Sequence, residues 1–186
     1  MTPEEAKTLA MARLSAERFY HTACVASAAG ALAERHGADV REALVAAWLH
    51  DILKEERPED LLQRIKRSDI INASQIARMP SVWHAYAGGL YVGRELCLSG
   101  DIANAVMYHT TGRAGMSKLE KVILLADYTS ADREFSGVEE VRELAQTSLD
   151  EACAVALRNG IIHLCKKRKL IDLNSVLAFN ELIIQK

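Results

Sequence analysis

Apolar positions along the chain recur at three- and four-residue intervals, and capping residues mark where each run starts and stops. Thr2-Pro3-Glu4-Glu5 combines an N-cap, a proline at the first helical position and a glutamate that completes a capping box. A first helix is therefore expected to run to near Leu14. Ser15 caps a second, with Phe19, Cys24, Val25, Ala28 and Leu32 on its apolar positions, and Gly37 stops it after His36. Asp39-Val40-Arg41-Glu42 repeats the capping logic and opens a third helix, predicted to carry His50 and Asp51. Glu55-Glu56-Arg57-Pro58 breaks it, and a short helix follows from Glu59 to about Lys66. Periodicity is weak from Ser68 to Pro80, which reads as a loop holding a short helix.

Ser81 begins a helix containing His84, Gly88, Gly89 and Val92 and ending at Gly100. Its glycine pair permits close helix packing or the approach of a substrate. Asp101 caps the next, which runs through Ala105 and Val106 to His109 and stops at Thr110-Thr111-Gly112. Ser117-Lys118-Leu119-Glu120 is another capping box, opening the helix of Val122, Leu125, Ala126 and Asp127. Helices from Val138 to Gln146 and from Ser148 to about Lys167 follow, and a last one after Asn174. No segment alternates, so no sheet is expected. The pattern predicts an all-α bundle of about nine helices, forming a single domain over residues 1–186 with helices 138–186 packed on a core of about 18–135.

Composition agrees: 49% of residues are hydrophobic, with only 10 Gly and 3 Pro. The net charge of −2 gives no general attraction to nucleic acid or to an anionic membrane. Lys166-Lys167-Arg168-Lys169 closes a helix, where cations complement the dipole. No apolar stretch approaches a membrane span and the acidic N-terminus lacks a signal core, so a cytoplasmic location is expected. Cys24, Cys97, Cys153 and Cys165 are scattered without a Cys-x-x-Cys pair, which suits reduced thiols. Any metal must then be held by imidazole and carboxylate.

Of six histidines, His36 is explained by its helix C-terminus and His163 by the rim of a packed face. His21, His50, His84 and His109 fall on four separate predicted helices among small or apolar neighbours, and Asp127 is a lone carboxylate in Leu124-Leu125-Ala126-Asp127-Tyr128. Burying such groups is costly unless each is hydrogen-bonded or shares a cation. An interior metal site is the economical account. Lys54, four residues from His50 and three from Asp51, shares their helical face.

The ordered set His21, His50-Asp51, His84, His109 and Asp127 resembles the HD-domain metal phosphohydrolases. Flanking segments resemble more closely the bacterial YqeK-type symmetrical diadenosine-tetraphosphate hydrolases. The matching stretches are Arg18-Phe19-Tyr20-His21, Leu49-His50-Asp51-Ile52-Leu53-Lys54, Tyr108-His109-Thr110-Thr111-Gly112-Arg113, Leu125-Ala126-Asp127-Tyr128 and Arg133-Glu134-Phe135-Ser136-Gly137. Ser130-Ala131 departs from the relatives' Glu-Pro, Ala85 from a common Gly, and Leu53 from a common Ala.

The resemblance implies an HD-domain bundle with two metal ions, iron in the family. Asp51 would bridge them, with His21, His50 and Asp127 on one ion and His84 and His109 on the other. The donor set suits iron, manganese, cobalt or zinc. A water shared by the ions would attack phosphorus in line, cleaving diadenosine tetraphosphate to two ADP. Lys54 would face a substrate phosphate, with Arg18, Thr110, Thr111, Gly112 and Arg133 as further contacts. Oligomeric state stays open between monomer and homodimer. Two rival readings remain: another HD-type nucleotidase or phosphohydrolase, and a non-catalytic nucleotide-binding regulator.

Overall fold

The computed structural model describes residues 1–68 and 73–184. Part of the Ser68–Pro80 expectation therefore lies outside the described residues, as do the last two positions. Eleven α-helices and one 3-10 turn are present among the described residues, and no strand. The helices are α1 (Pro3–Arg13), α2 (Ala16–His36), α3 (Val40–Leu49), α4 (Pro58–Lys66), α5 (Ala73–Ile76) and α6 (Trp83–Arg94). They continue as α7 (Gly100–Met107), α8 (Lys118–Thr129), α9 (Val138–Ala145), α10 (Leu149–Lys166) and α11 (Leu173–Ile184). The count exceeds the expected nine, and the all-α class holds.

The fold is built around α3. Its Ala43, Val45, Ala46, Ala47, Trp48 and Leu49 are all buried. A helix apolar on nearly every side has to be covered by neighbours, and α1, α2, α7 and α8 pack on it. Leu49 is fully buried, and truncating such a side chain to Ala costs about 2–5 kcal/mol. The chain therefore cannot shift here without losing its core, which fixes the residues that follow α3.

Capping boxes at Thr2/Glu5 and Ser117/Glu120 form as expected, and Ser15, Asp39 and Ser148 each accept a hydrogen bond from the backbone at N3. Three boundaries differ. The third helix stops at Leu49, so His50 is its C-cap and Asp51 lies in the turn beyond. The α6 helix ends at Arg94, where Cys97 takes a left-handed φ of 53°. The α7 helix is capped by Ser99 instead of Asp101 and stops at Met107, leaving His109 in a turn.

The ends of α3 and α7 share one feature. His50 Nδ1 donates to the carbonyl of Ala47, and His109 Nδ1 to that of Val106, both at 2.7 Å. Those carbonyls are the acceptors that the amides of Asp51 and Thr110 would need to continue an α-helix. Each helix ends there, and the carbonyl it leaves unused accepts from the imidazole.

Gly89 sets the spacing of α6 and α7. A Cβ there would meet Met107 Cβ at 2.4 Å and the Ala103 carbonyl at 2.8 Å. Of the two roles open to the glycine pair, close packing is the one Gly89 serves. Below α6, the Tyr86 hydroxyl donates to Asp172 at 2.8 Å and accepts from Asn174 at 2.9 Å, tying the bundle to the α10–α11 connection. No helix among the described residues is long and apolar enough to cross a membrane.

Candidate metal centre

Five elements deliver the chemistry to one end of the bundle. His21 comes from the interior of α2, His50 and Asp51 from the end of α3, His84 from the first turn of α6, His109 from beyond α7, and Asp127 from α8. The four imidazoles form an edge-packed row, with centroids 5.5 Å apart for His21–His50, 5.0 Å for His50–His109 and 5.3 Å for His84–His109. All four are buried.

Their orientation is set from behind. With Nδ1 of His50 and His109 donating to backbone carbonyls, each ring keeps its Nε2 lone pair for the interior. His21 Nδ1 is 2.7 Å from Asp132 Oδ2, and its Nε2 is 3.1 Å from Asp127 Oδ1. His84 Nε2 lies 3.2 Å from Asp51 Oδ1. Nε2 is the inward atom in every case.

Asp51 sits between the two halves. Its Oδ2 is 3.5 Å from His50 Nε2, while its Oδ1 is 3.7 Å from His109 Nε2. Two sets of donors lie within 4.8 Å of one another, His21–His50–Asp51 and Asp51–His84–His109, and Asp51 belongs to both. His50 Nε2 and Asp51 Oδ1 are buried with no hydrogen-bond partner. An orphaned lone pair beside an orphaned carboxylate oxygen is expensive in a protein interior unless a cation lies between them. The imidazole and carboxylate donors therefore fit divalent metal ions.

The electrostatics agree. Burial pushes the Asp51 carboxyl up, but the charge of His50 and the close imidazoles of His109 and His84 outweigh it, leaving the pKa well below the usual range. For Asp127, burial is likewise outweighed by the His21 hydrogen bond and the charges of His50, His109 and Arg133. Burial lowers His84 to about 4. His50 goes the other way: burial would lower it, but Asp51, Asp127 and the Ala47 carbonyl together raise it more.

Three cations flank the site. Arg18 Nη1 is 3.1 Å from Asp51 Oδ2, Lys54 Nζ is 3.6 Å from Asp51 Oδ1, and Arg133 pairs with Asp127. Lys54 stays beside Asp51, its amide donating to the Asp51 carbonyl in the turn that follows α3. Next to it, Glu55 accepts from the Ser15 amide and hydroxyl, locking that turn to the start of α2.

The Thr110-Thr111-Gly112 expectation divides. Thr110 is exposed and lines a cavity. Thr111 is buried with its hydroxyl donating to the Gly112 carbonyl, and the Gly112 amide donates to the Tyr108 carbonyl. Gly112 also packs against Leu124, Leu157 and Ala178, so both residues face the core and neither presents a free donor outward. The cavity at Thr110 has a volume of about 310 Å³ and opens beside His109, Asp127 and Arg133. Its wall is apolar, formed by α8, α10 and the edge-to-face pair Tyr128 and Phe135, whose centroids are 5.0 Å apart.

Sequence reasoning missed Asp132, Arg142 and the α10 wall of the cavity. Each acts on a different element from its own, and only the polar run after Asp127 hinted at the first. His36 donates to the Ala145 carbonyl of α9 and so ties two helices together beyond serving its own helix end, and His163 is exposed instead of standing at the rim of a packed face.

Residues 18–132 match the model of the HD domain. The symmetrical bis(5'-nucleosyl)-tetraphosphatase of Bacillus subtilis is 39% identical over 184 residues, covering 98% of each chain. Its namesake in Halalkalibacterium halodurans is 35% identical over 186 residues, covering 100% of this chain and 99% of that one. A crystal structure from Clostridium acetobutylicum, described as a predicted HD superfamily hydrolase involved in NAD metabolism, superposes with a TM-score of 0.92. It is 30% identical, with 98% of this chain and 97% of that one covered. By site and by similarity over its whole length, the chain belongs to the HD-domain family, in the group of relatives named symmetrical bis(5'-nucleosyl)-tetraphosphatase.

Proposed function

We propose that the protein is a metal-dependent hydrolase that cleaves diadenosine tetraphosphate symmetrically to two ADP. The observation that carries the reading is the double membership of Asp51, one buried carboxylate shared by two three-donor sets. On this reading His21, His50 and Asp127 would hold one ion and His84 and His109 the other, with Asp51 shared between the two sets. Two transition-metal ions, iron by family and manganese, cobalt or zinc by chemistry, supply Lewis acidity and a water made acidic near neutral pH.

The chain's own residues do the rest. Three of the four imidazoles, His21, His50 and His109, are held with Nε2 inward by groups behind them, so those rings are oriented before anything binds. Arg18, Lys54 and Arg133 ring the carboxylates, and each can turn from its acidic partner to a phosphate oxygen. Thr110 adds a hydroxyl at the mouth of the cavity. The apolar wall of Tyr128, Phe135 and α10 offers a surface on which one nucleoside can rest while its phosphates reach the metals.

A panel tests the substrate class. Metal-loaded protein is given diadenosine tetraphosphate, shorter dinucleoside polyphosphates and mononucleotides at equal concentration. The tetraphosphate is expected to turn over fastest. Faster release of phosphate from mononucleotides would favour a nucleotidase, and binding without turnover under any metal would favour a regulator.

A further inference from the structure

The turn between α8 and α9 turns a carboxylate inward at the edge of the site. Asp132 stands on exposed backbone, yet its side chain keeps only 21% exposure and reaches Nδ1 of His21 at 2.7 Å. His21 has a need that His50 and His109 do not. Those two follow helix C-termini, where unused carbonyls accept from Nδ1. His21 lies inside α2, where the backbone acceptors are already taken by the helix, so its Nδ1–H must find a partner on another element.

The turn is braced for that purpose. Ser130 is fully buried, and the Arg133 amide donates to its carbonyl at 2.9 Å. From α9, Arg142 donates to the carbonyls of Thr129 at 2.9 Å, Ser130 at 2.7 Å and Arg133 at 2.9 Å. One guanidinium thus grips three carbonyls of the segment that presents Asp132 to His21 and Arg133 to Asp127.

We propose that Asp132 is the positioning residue of His21: its carboxylate accepts from Nδ1–H, selects the tautomer with a free Nε2 lone pair, and aims it at the metal position beside Asp127. Asp132 acts through His21 and does not touch substrate. This inference rests on the reading of His21 as a metal ligand.

The test needs no substrate. Full-length wild type and the Asp132→Ala, Asp132→Asn and Asp132→Glu variants are stripped with chelator and titrated with Co²⁺ alone, followed by visible absorption and calorimetry. Wild type is expected to take two ions. In Asp132→Ala one binding step weakens by roughly 10–100-fold while the other is unchanged, and the melting temperature of the metal-free protein stays near wild type. Asp132→Asn recovers most of the loss, because its carbonyl oxygen still accepts from Nδ1–H, and Asp132→Glu recovers part. Wild-type affinity at both steps in Asp132→Ala overturns the proposal. So does an equal weakening of both steps with a lowered melting temperature, which is the mark of a structural contact. If wild type binds no Co²⁺, the metal-ligand reading itself falls, an outcome distinct from either.

Discussion

The ammonium of Lys54 donates to Nε2 of His84 at 3.0 Å, holding the lone pair that a metal ion would take. Burial brings His84 down to about 4, so near neutral pH its ring is an uncharged acceptor. The same ammonium balances Asp51. Metal binding at His84 must displace it, and a displaced Lys54 becomes a free cation beside the site. The competitor of the metal in one state is the partner of a phosphate in the other.

Lys54→Met should therefore leave metal binding intact, or tighten it, while lowering kcat/KM for diadenosine tetraphosphate by about 10–100-fold, the value of a charge-assisted hydrogen bond of about 1.5–3 kcal/mol. Steady-state kinetics on protein of known metal content decide this. Unchanged kcat/KM would remove Lys54 from substrate binding.

Asp51→Ala should abolish turnover and release both ions, because each donor set loses its common member. Elemental analysis beside an activity assay reads both effects. A variant that keeps two ions and its activity would refute the bridging role.

Chelator-treated protein should be most stable near pH 6.5. His50 is raised, since Asp51, Asp127 and the Ala47 carbonyl together outweigh burial, so its contribution is complete below 6.5 and is lost as pH rises through the raised value. His84 is lowered by burial to about 4, so between 6.5 and 4 the unfolded chain holds its proton more readily and stability falls with pH. Asp51 and Asp127, both depressed from 3.8, add a further loss as pH drops below that value. Melting temperatures in chelator from about pH 4 to 9 should trace a dome. A curve with no maximum contradicts the assigned shifts.

Gly89→Ala should destabilise the fold by at least about 1–3 kcal/mol, because the new methyl meets Met107 Cβ and the Ala103 carbonyl, which is backbone and cannot step aside. Since α6 and α7 carry His84 and lead to His109, this variant should also hold metal less well. Chemical denaturation and metal analysis check the two effects separately. Wild-type stability would mean that α6 and α7 can separate freely.

Much of this was legible in the chain because it is local. Thr2 with Glu5, Ser117 with Glu120, and Gly37 after His36 are short-range devices whose hydrogen bonds lie within one turn, and their helices begin or end there. The six candidate ligands were visible as polar side chains in apolar runs, and the structure gathers them. What could not be read was the stop after Leu49. A helical pattern continues through Asp51 to Lys54, yet the helix ends at Leu49 and the Ala47 carbonyl accepts from His50 Nδ1 instead of the Asp51 amide. Asp132 and Arg142 were hidden for another reason: their partners lie on other elements, and a surface carboxylate that turns inward has the same sequence signature as one that does not.

The central claim is that this site cleaves the tetraphosphate bridge at its middle. Protein purified without air, with its metal content measured, is incubated with diadenosine tetraphosphate and the nucleotides are separated. ADP as the sole product, lost on metal removal and regained on reloading, is the predicted result. ATP and AMP in equal amounts, or turnover that survives removal of the metals, would contradict it.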